Sequence, residues 1–130
     1  MPDKRFIALP AAAALGLALV AGGAGASGDV TAALSHKATV RADPDGAIAF
    51  TKKRLKVRHG KVTIVMRNPG SSGIDHGIGV SGHGKSKTGK TVSPGDTSRV
   101  RIKLKKGKYT FFCPVPGHRE IGMKGRLIVK

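Results

Sequence analysis

The sequence predicts an all-β domain, a Greek-key sandwich or barrel, preceded by a cleavable leader. Three observations carry this. Apolar and charged residues alternate with period two over several short stretches, and Pro, Gly, Asn and Asp cluster at the breaks between them. No stretch shows the three-to-four-residue apolar spacing of an amphipathic helix.

The leader comes first. Lys4 and Arg5 precede an apolar run from Phe6 to Val20, and Ala24-Gly25-Ala26 ends in small residues, so residues 1–26 read as a secretory signal. The competing reading is an uncleaved membrane anchor. The run is shorter than the roughly 20 residues a spanning helix needs, and it contains Pro10, which favours cleavage. The expectation is an exported protein, periplasmic or extracellular, held at a membrane only if the leader is kept. Residues 27–35 are small and polar and read as a flexible segment. The domain then occupies residues 36–130.

Within it, Leu55 and Val57 alternate with Arg54, Lys56 and Arg58. Val62, Ile64 and Met66 alternate with Lys61, Thr63, Val65 and Arg67, and Val100, Ile102 and Leu104 with Arg99, Arg101, Lys103 and Lys105. One charged face and one apolar face mean half-buried strands. Lys108 to Cys113 and Lys124 to Val129 are expected to be the last two. Turns are signalled at Asp43-Pro44-Asp45-Gly46, His59-Gly60, Asn68-Pro69-Gly70, Ser93-Pro94-Gly95-Asp96 and Lys106-Gly107. The segment Gly84 to Thr91 matches the phosphate-binding loop pattern GxxxxGK[ST], but that loop needs a helix after it, and Pro94-Gly95 would stop one in its first turn. The sequence reading is a flexible basic loop.

The formal charge is +17, from 24 basic and 7 acidic residues, and all but Lys4, Arg5 and Asp3 lie beyond the leader. Such an excess bears on partners and not on fold. It suggests acidic redox proteins, or an anionic membrane or wall surface, with Lys52, Lys53, Arg54, Lys56 and Arg58 as the densest run. Nucleic acid is the obvious rival. Export argues against it, and with five aromatic residues, two of them at Phe111 and Phe112, no stacking platform is evident.

Cys113 is the only cysteine, so no internal disulfide can form, and the thiol is either free or a metal ligand. It opens Cys113-Pro114-Val115-Pro116-Gly117-His118-Arg119-Glu120-Ile121-Gly122-Met123, a Cys-x4-His-x4-Met loop. Thiolate, imidazole and a weak thioether form the ligand field of electron-transfer copper once a second histidine is added. Each residue also has an ordinary reading: Cys113 as a small buried hydrophobe, His118 as a surface residue, Met123 as a gap filler. The second histidine has four candidates. His59 sits in a turn and His36 at the domain's edge, where both are expected to be solvated. His83 lies seven residues beyond His76, which at roughly 3.3 Å per residue puts it at the other end of a strand.

The loop resembles the copper loop of the cupredoxins, the small blue copper proteins, and its spacing is most similar to the rusticyanin and auracyanin branch. Upstream, Ile48-Ala49-Phe50, Leu55-Lys56-Val57, Gly60 to Ile64 and Asn68 are similar to the amino-terminal half of plastocyanin-like domains. The resemblance implies that the strand after the asparagine loop opens on the first ligand, here His76. It implies one type 1 copper held by His76, Cys113, His118 and Met123, in a monomer that carries single electrons between Cu(II) and Cu(I). With four positions filled there is none for substrate, so no enzyme is expected. A His-x-His pair, as in multicopper oxidases, is absent from the sequence. The alternatives are a copper-holding chaperone or scavenger, and a basic extracellular binding module with a vestigial site. One departure stands out: the family often has asparagine or another polar residue after the first histidine, tying the two ligand loops, and this chain has Gly77.

Overall fold

The computed structural model describes residues 34–130; the leader, and the segment that comes after it as far as residue 33, lie outside the described residues. The alternation along the strands is resolved into two facing sheets. The first has the order β1 (Lys37–Arg41), β3 (Gly60–Arg67), β6 (Thr97–Leu104). The second runs β2 (Arg54–Val57), β8 (Lys124–Val129), β7 (Gly107–Phe112), β4 (Gly79–Gly82), β5 (Lys85–Thr88). A 3-10 turn at Gly70–Ser72 and one turn of helix, α1 (His118–Ile121), complete the elements.

β3 and β6 pair antiparallel with Val62 opposite Ile102, Ile64 opposite Val100 and Met66 opposite Ser98. Val62, Ile64 and Met66 are fully buried, while Lys61 and Arg67 are exposed. Val65 departs from the alternation and is buried on the outer face, because it is central in its sheet between Thr39 of β1 and Arg99 of β6. From the second sheet, Leu55, Val57, Val80, Tyr109, Phe111, Leu127 and Val129 point inward, with the rings of Phe50 and Phe111 5.3 Å apart. Burying side chains of this size is worth about 1.5–3 kcal/mol each, and that supplies a core without a disulfide. The Tyr109 hydroxyl donates to the Lys105 carbonyl at 2.9 Å and pins the turn between β6 and β7.

The phosphate-loop lookalike is corrected by the structure. Lys85–Thr88 is not a loop but an edge strand, hairpinned onto β4 from Gly79 opposite Thr88 to Gly82 opposite Lys85. Its turn places His83 and Gly84 at φ 53° and 78°, the two left-handed residues a tight hairpin requires. Beyond the hairpin the chain forms a bridge from Val92 to His76, not a helix.

Strand directions sort the loops into two ends. Residues 42–53, 68–78, 89–96 and 113–123 gather at one end. At the other lie the turns at Arg58-His59, His83-Gly84 and Lys105-Lys106, the residues where the chain enters the domain, and Lys130.

Candidate metal centre

Three loops at the first end bring side chains to one point. His76 precedes β4 and is anchored by reciprocal backbone bonds with Val92, at 3.1 and 2.8 Å. Cys113 directly follows β7, and its N–H donates to the Met123 carbonyl at 3.1 Å, while the Met123 N–H donates to the His118 carbonyl at 3.0 Å. These two bonds close the 113–123 segment into a compact hook. Its bends fall at Gly117 and Gly122, with φ of 88° and 125°, angles at which a side chain would be strained. The sequence predicts no helix, and α1 is the one turn that this hook contains.

Donor atoms of His76, Cys113 and His118 all lie within 4.8 Å of one another, the one such group among the described residues. The Cys113 Sγ stands 3.9 Å from His76 Nδ1 and 3.5 Å from His118 Nδ1. Sulfur and nitrogen bound to one ion at about 2.3 and 2.0 Å, in tetrahedral to trigonal arrangement, are roughly 3.5–3.7 Å apart, so the His118 spacing fits a shared metal and the His76 spacing is about 0.2 Å wider. His76, Cys113 and Met123 are fully buried, and His118 reaches the surface with 9% of its area. Of the rival histidines, His83 stacks on Tyr109 with its Nε2 3.1 Å from the Lys108 carbonyl, and His59 Nδ1 is 2.9 Å from the Lys130 carbonyl. Both belong to the far end, as does His36, which packs on Gly60.

Burial pushes the Cys113 thiol up, while the amides of Gly77 and Val115 aimed at its sulfur pull the other way. Burial pushes the His76 imidazole down, helped by the neighbouring His118 ring and opposed by Asp75. His76 Nε2 is the buried side-chain polar atom that lacks a partner among the described residues. The pocket thus disfavours imidazolium at His76, leaving the neutral ring a metal needs. The thiolate is the costlier form here, and a cation of soft character would favour it.

The backbone of Gly77 ties the two ligand loops. Its N–H donates to Cys113 Sγ at 3.4 Å. A Cβ on Gly77 would stand 3.1 Å from the Lys90 carbonyl oxygen and 3.1 Å from Pro114 Cγ, so the loops carrying His76 and Cys113 meet closely enough that even a methyl group would press on both sides. Gly77→Ala is expected to cost about 1–3 kcal/mol by overpacking and to shift the visible spectrum of the copper-loaded protein. Thermal unfolding and absorption spectra measure both; an unchanged spectrum would mean that the two loops are not coupled through this contact.

Two supports escape a reading of the sequence. Asn68 is buried, and its Nδ2 donates to the carbonyls of Ile74 and Val92 at 2.8 and 3.1 Å, while Ser72 Oγ donates to its Oδ1. It braces both segments that hold His76, a role hidden behind its place in an Asn-Pro-Gly turn signal. Arg119 lays its guanidinium 4.1 Å from the centre of the Phe112 ring and reaches Ser81 Oγ at 3.4 Å, fastening α1 to the sheet. No short-range pattern announces a contact of that kind.

Residues 36–130 match the family of copper binding proteins that includes plastocyanin and azurin. No curated protein sequence is similar enough to match. Among solved structures, auracyanin B is similar at 22% identity and a TM-score of 0.63, over 72% of this chain and 88% of that one. Auracyanin from the photosynthetic bacterium Roseiflexus castenholzii is similar at 20% identity and 0.61, over 75% and 99%. Copper nitrite reductase from Nitrosomonas europaea is similar at 19% and 0.57, over 72% of this chain but 41% of that one. These likenesses establish the fold, a cupredoxin β-sandwich. The match across the whole domain, together with a buried thiol, two imidazoles and a thioether at one end of that fold, shows that the chain belongs to the plastocyanin/azurin family of copper binding proteins and is suited to one type 1 copper ion.

Proposed function

We propose that this protein carries single electrons between redox partners and is not itself an enzyme. In this reading Cys113 supplies the thiolate, His76 and His118 bind through Nδ1, and Met123 gives the weak axial thioether. Copper held there supplies a one-electron couple. The carrying observation is burial: three of the four residues are shut away from solvent, and His118 forms the one edge open to it, with 9% of its area. A substrate would have no path to the ion, whereas an electron can leave through that edge. The backbone closure of the hook and the Gly77 contact keep the donors in place when the charge changes, which favours rapid exchange.

Beside His118 the rim carries the exposed Pro116 and Ile121, the latter 64% exposed, next to the exposed Glu120. Close docking would rest on that rim, while the exposed cations of the metal end, among them Lys52, Lys53 and Lys124, steer an acidic redox protein towards it. We read the protein as a monomer and, from its leader, as exported. Adding Cu(II) to the purified protein and recording visible and paramagnetic resonance spectra tests the centre. Repeated oxidation and reduction by an acidic partner at catalytic rates tests the role; tight copper binding without such cycling would favour a copper-holding protein instead.

The axial position gives a separate test. Met123→Gln puts a harder oxygen near the metal and is expected to lower the potential, whereas Met123→Leu is expected to raise it, with copper retained in both. Voltammetry reads the shifts. If neither variant moves the potential, Met123 is core filler.

A further inference from the structure

The charge is unevenly distributed along the barrel axis. All five acidic side chains of the described residues, Asp43, Asp45, Asp75, Asp96 and Glu120, sit in the four loops of the metal end. Lys52, Lys53, Lys90 and Arg119 share those loops, and Arg41, Arg54, Arg67 and Lys124 are exposed at the strand ends beside them, so eight cations there are largely offset by the five acids. Among the described residues the opposite end carries no acid. Arg58, Lys105, Lys106 and Lys130 project from its turns and terminal strand, with Lys85 and Lys108 beside them, and all six are exposed.

We propose that this metal-distal pole docks on an anionic lipid bilayer, standing the barrel upright with the metal end turned away from the surface. The cations come from separate turns and form a broad patch, not a pocket, which suits an extended charged surface. The first described residues also pack on this side: Arg58 N–H donates to the Ser35 carbonyl and Thr63 N–H to the His36 carbonyl. Distance fixes the orientation. The eight-residue β3 spans the barrel, about 26 Å at 3.3 Å per residue, whereas the field of an anionic leaflet decays over about 8 Å at physiological salt. Only the near pole feels it. His118, at the far pole, stays open to a soluble partner.

The test uses the full-length chain and cosedimentation with vesicles of phosphatidylcholine alone or mixed with phosphatidylglycerol. It needs no copper, so its failure is separate from failure of the electron-transfer reading. Binding is expected only to the anionic vesicles. Each polar-cap cation is worth about fivefold in affinity, so Lys105→Glu/Lys106→Glu should weaken binding more than about twentyfold, and Arg58→Glu/Lys130→Glu should do the same from different elements. Lys52→Glu/Lys53→Glu, with the same change in net charge but at the metal end, should change it less than about threefold, since its charges lie beyond the screening length. Equal losses in all three would overturn the proposal in favour of net charge alone. Equal binding to neutral vesicles would assign it to the apolar leader, and binding to soluble polyglutamate without binding to vesicles would make the occupant an acidic protein.

Discussion

Cys113→Ser is expected to abolish the intense visible band of the oxidised, copper-loaded protein. A hydroxyl is a hard donor and cannot replace the soft thiolate whose charge transfer gives that band. The amides of Gly77 and Val115 would then face an oxygen that holds copper poorly. Stability follows by mass action. Copper at about a thousandfold above its dissociation constant stabilises the native state by about 4 kcal/mol, and each kcal/mol moves the melting temperature of a domain this size by about 4–8 °C. The variant should therefore melt at the same temperature with and without copper, while the parent should not. A band that persists in the serine variant would show that the thiolate has been misassigned.

His76→Ala is expected to be as damaging to the spectrum, and more so to the fold. The imidazole is fully buried between loops braced by Asn68 and Val92, so its removal leaves a cavity as well as a missing donor. His118→Ala should also lose the native spectrum. The two differ in rescue: free imidazole should restore colour to His118→Ala, whose site opens at the surface, and not to His76→Ala. His36→Ala, His59→Ala and His83→Ala should keep the parent spectrum. Loss of the spectrum in His83→Ala with a normal one in His76→Ala would reverse the choice of histidine.

Much of this architecture is legible in the sequence, for a physical reason. Period-two alternation reports burial directly, so the strands around Val62, Val100 and Leu127 can be read from side chains alone. The hook from Cys113 to Met123 is legible because its donors are close in sequence and their spacing is set by one ion. Contacts that join distant segments are not legible in the same way. The Lys85–Thr88 strand has no apolar residue, and all four of its residues are exposed, so nothing in its composition separates it from a loop; it is a strand because β4 offers its edge. Asn68 looks like a turn residue because its partners, Ile74 and Val92, are not marked by any local pattern. Gly77 looks like a missing link in the sequence, when its lack of a side chain lets the loops touch.

The parallel pairing of β2 with β8 sets the order of assembly. Among the described residues, Arg54–Val57 finds its strand partner in Arg126–Val129, 72 positions further along the sequence. Until β8 is made, the second sheet therefore lacks the strand that joins β2 to β7, and Leu55 and Val57 have no neighbour on that side. Non-local pairings of this kind are slow to form. The hook that leads directly into β8 carries His118 and Met123, so one late segment finishes the sheet and the donor cluster together. A chain cut before His118 would have neither, and a quality-control protease would find it open.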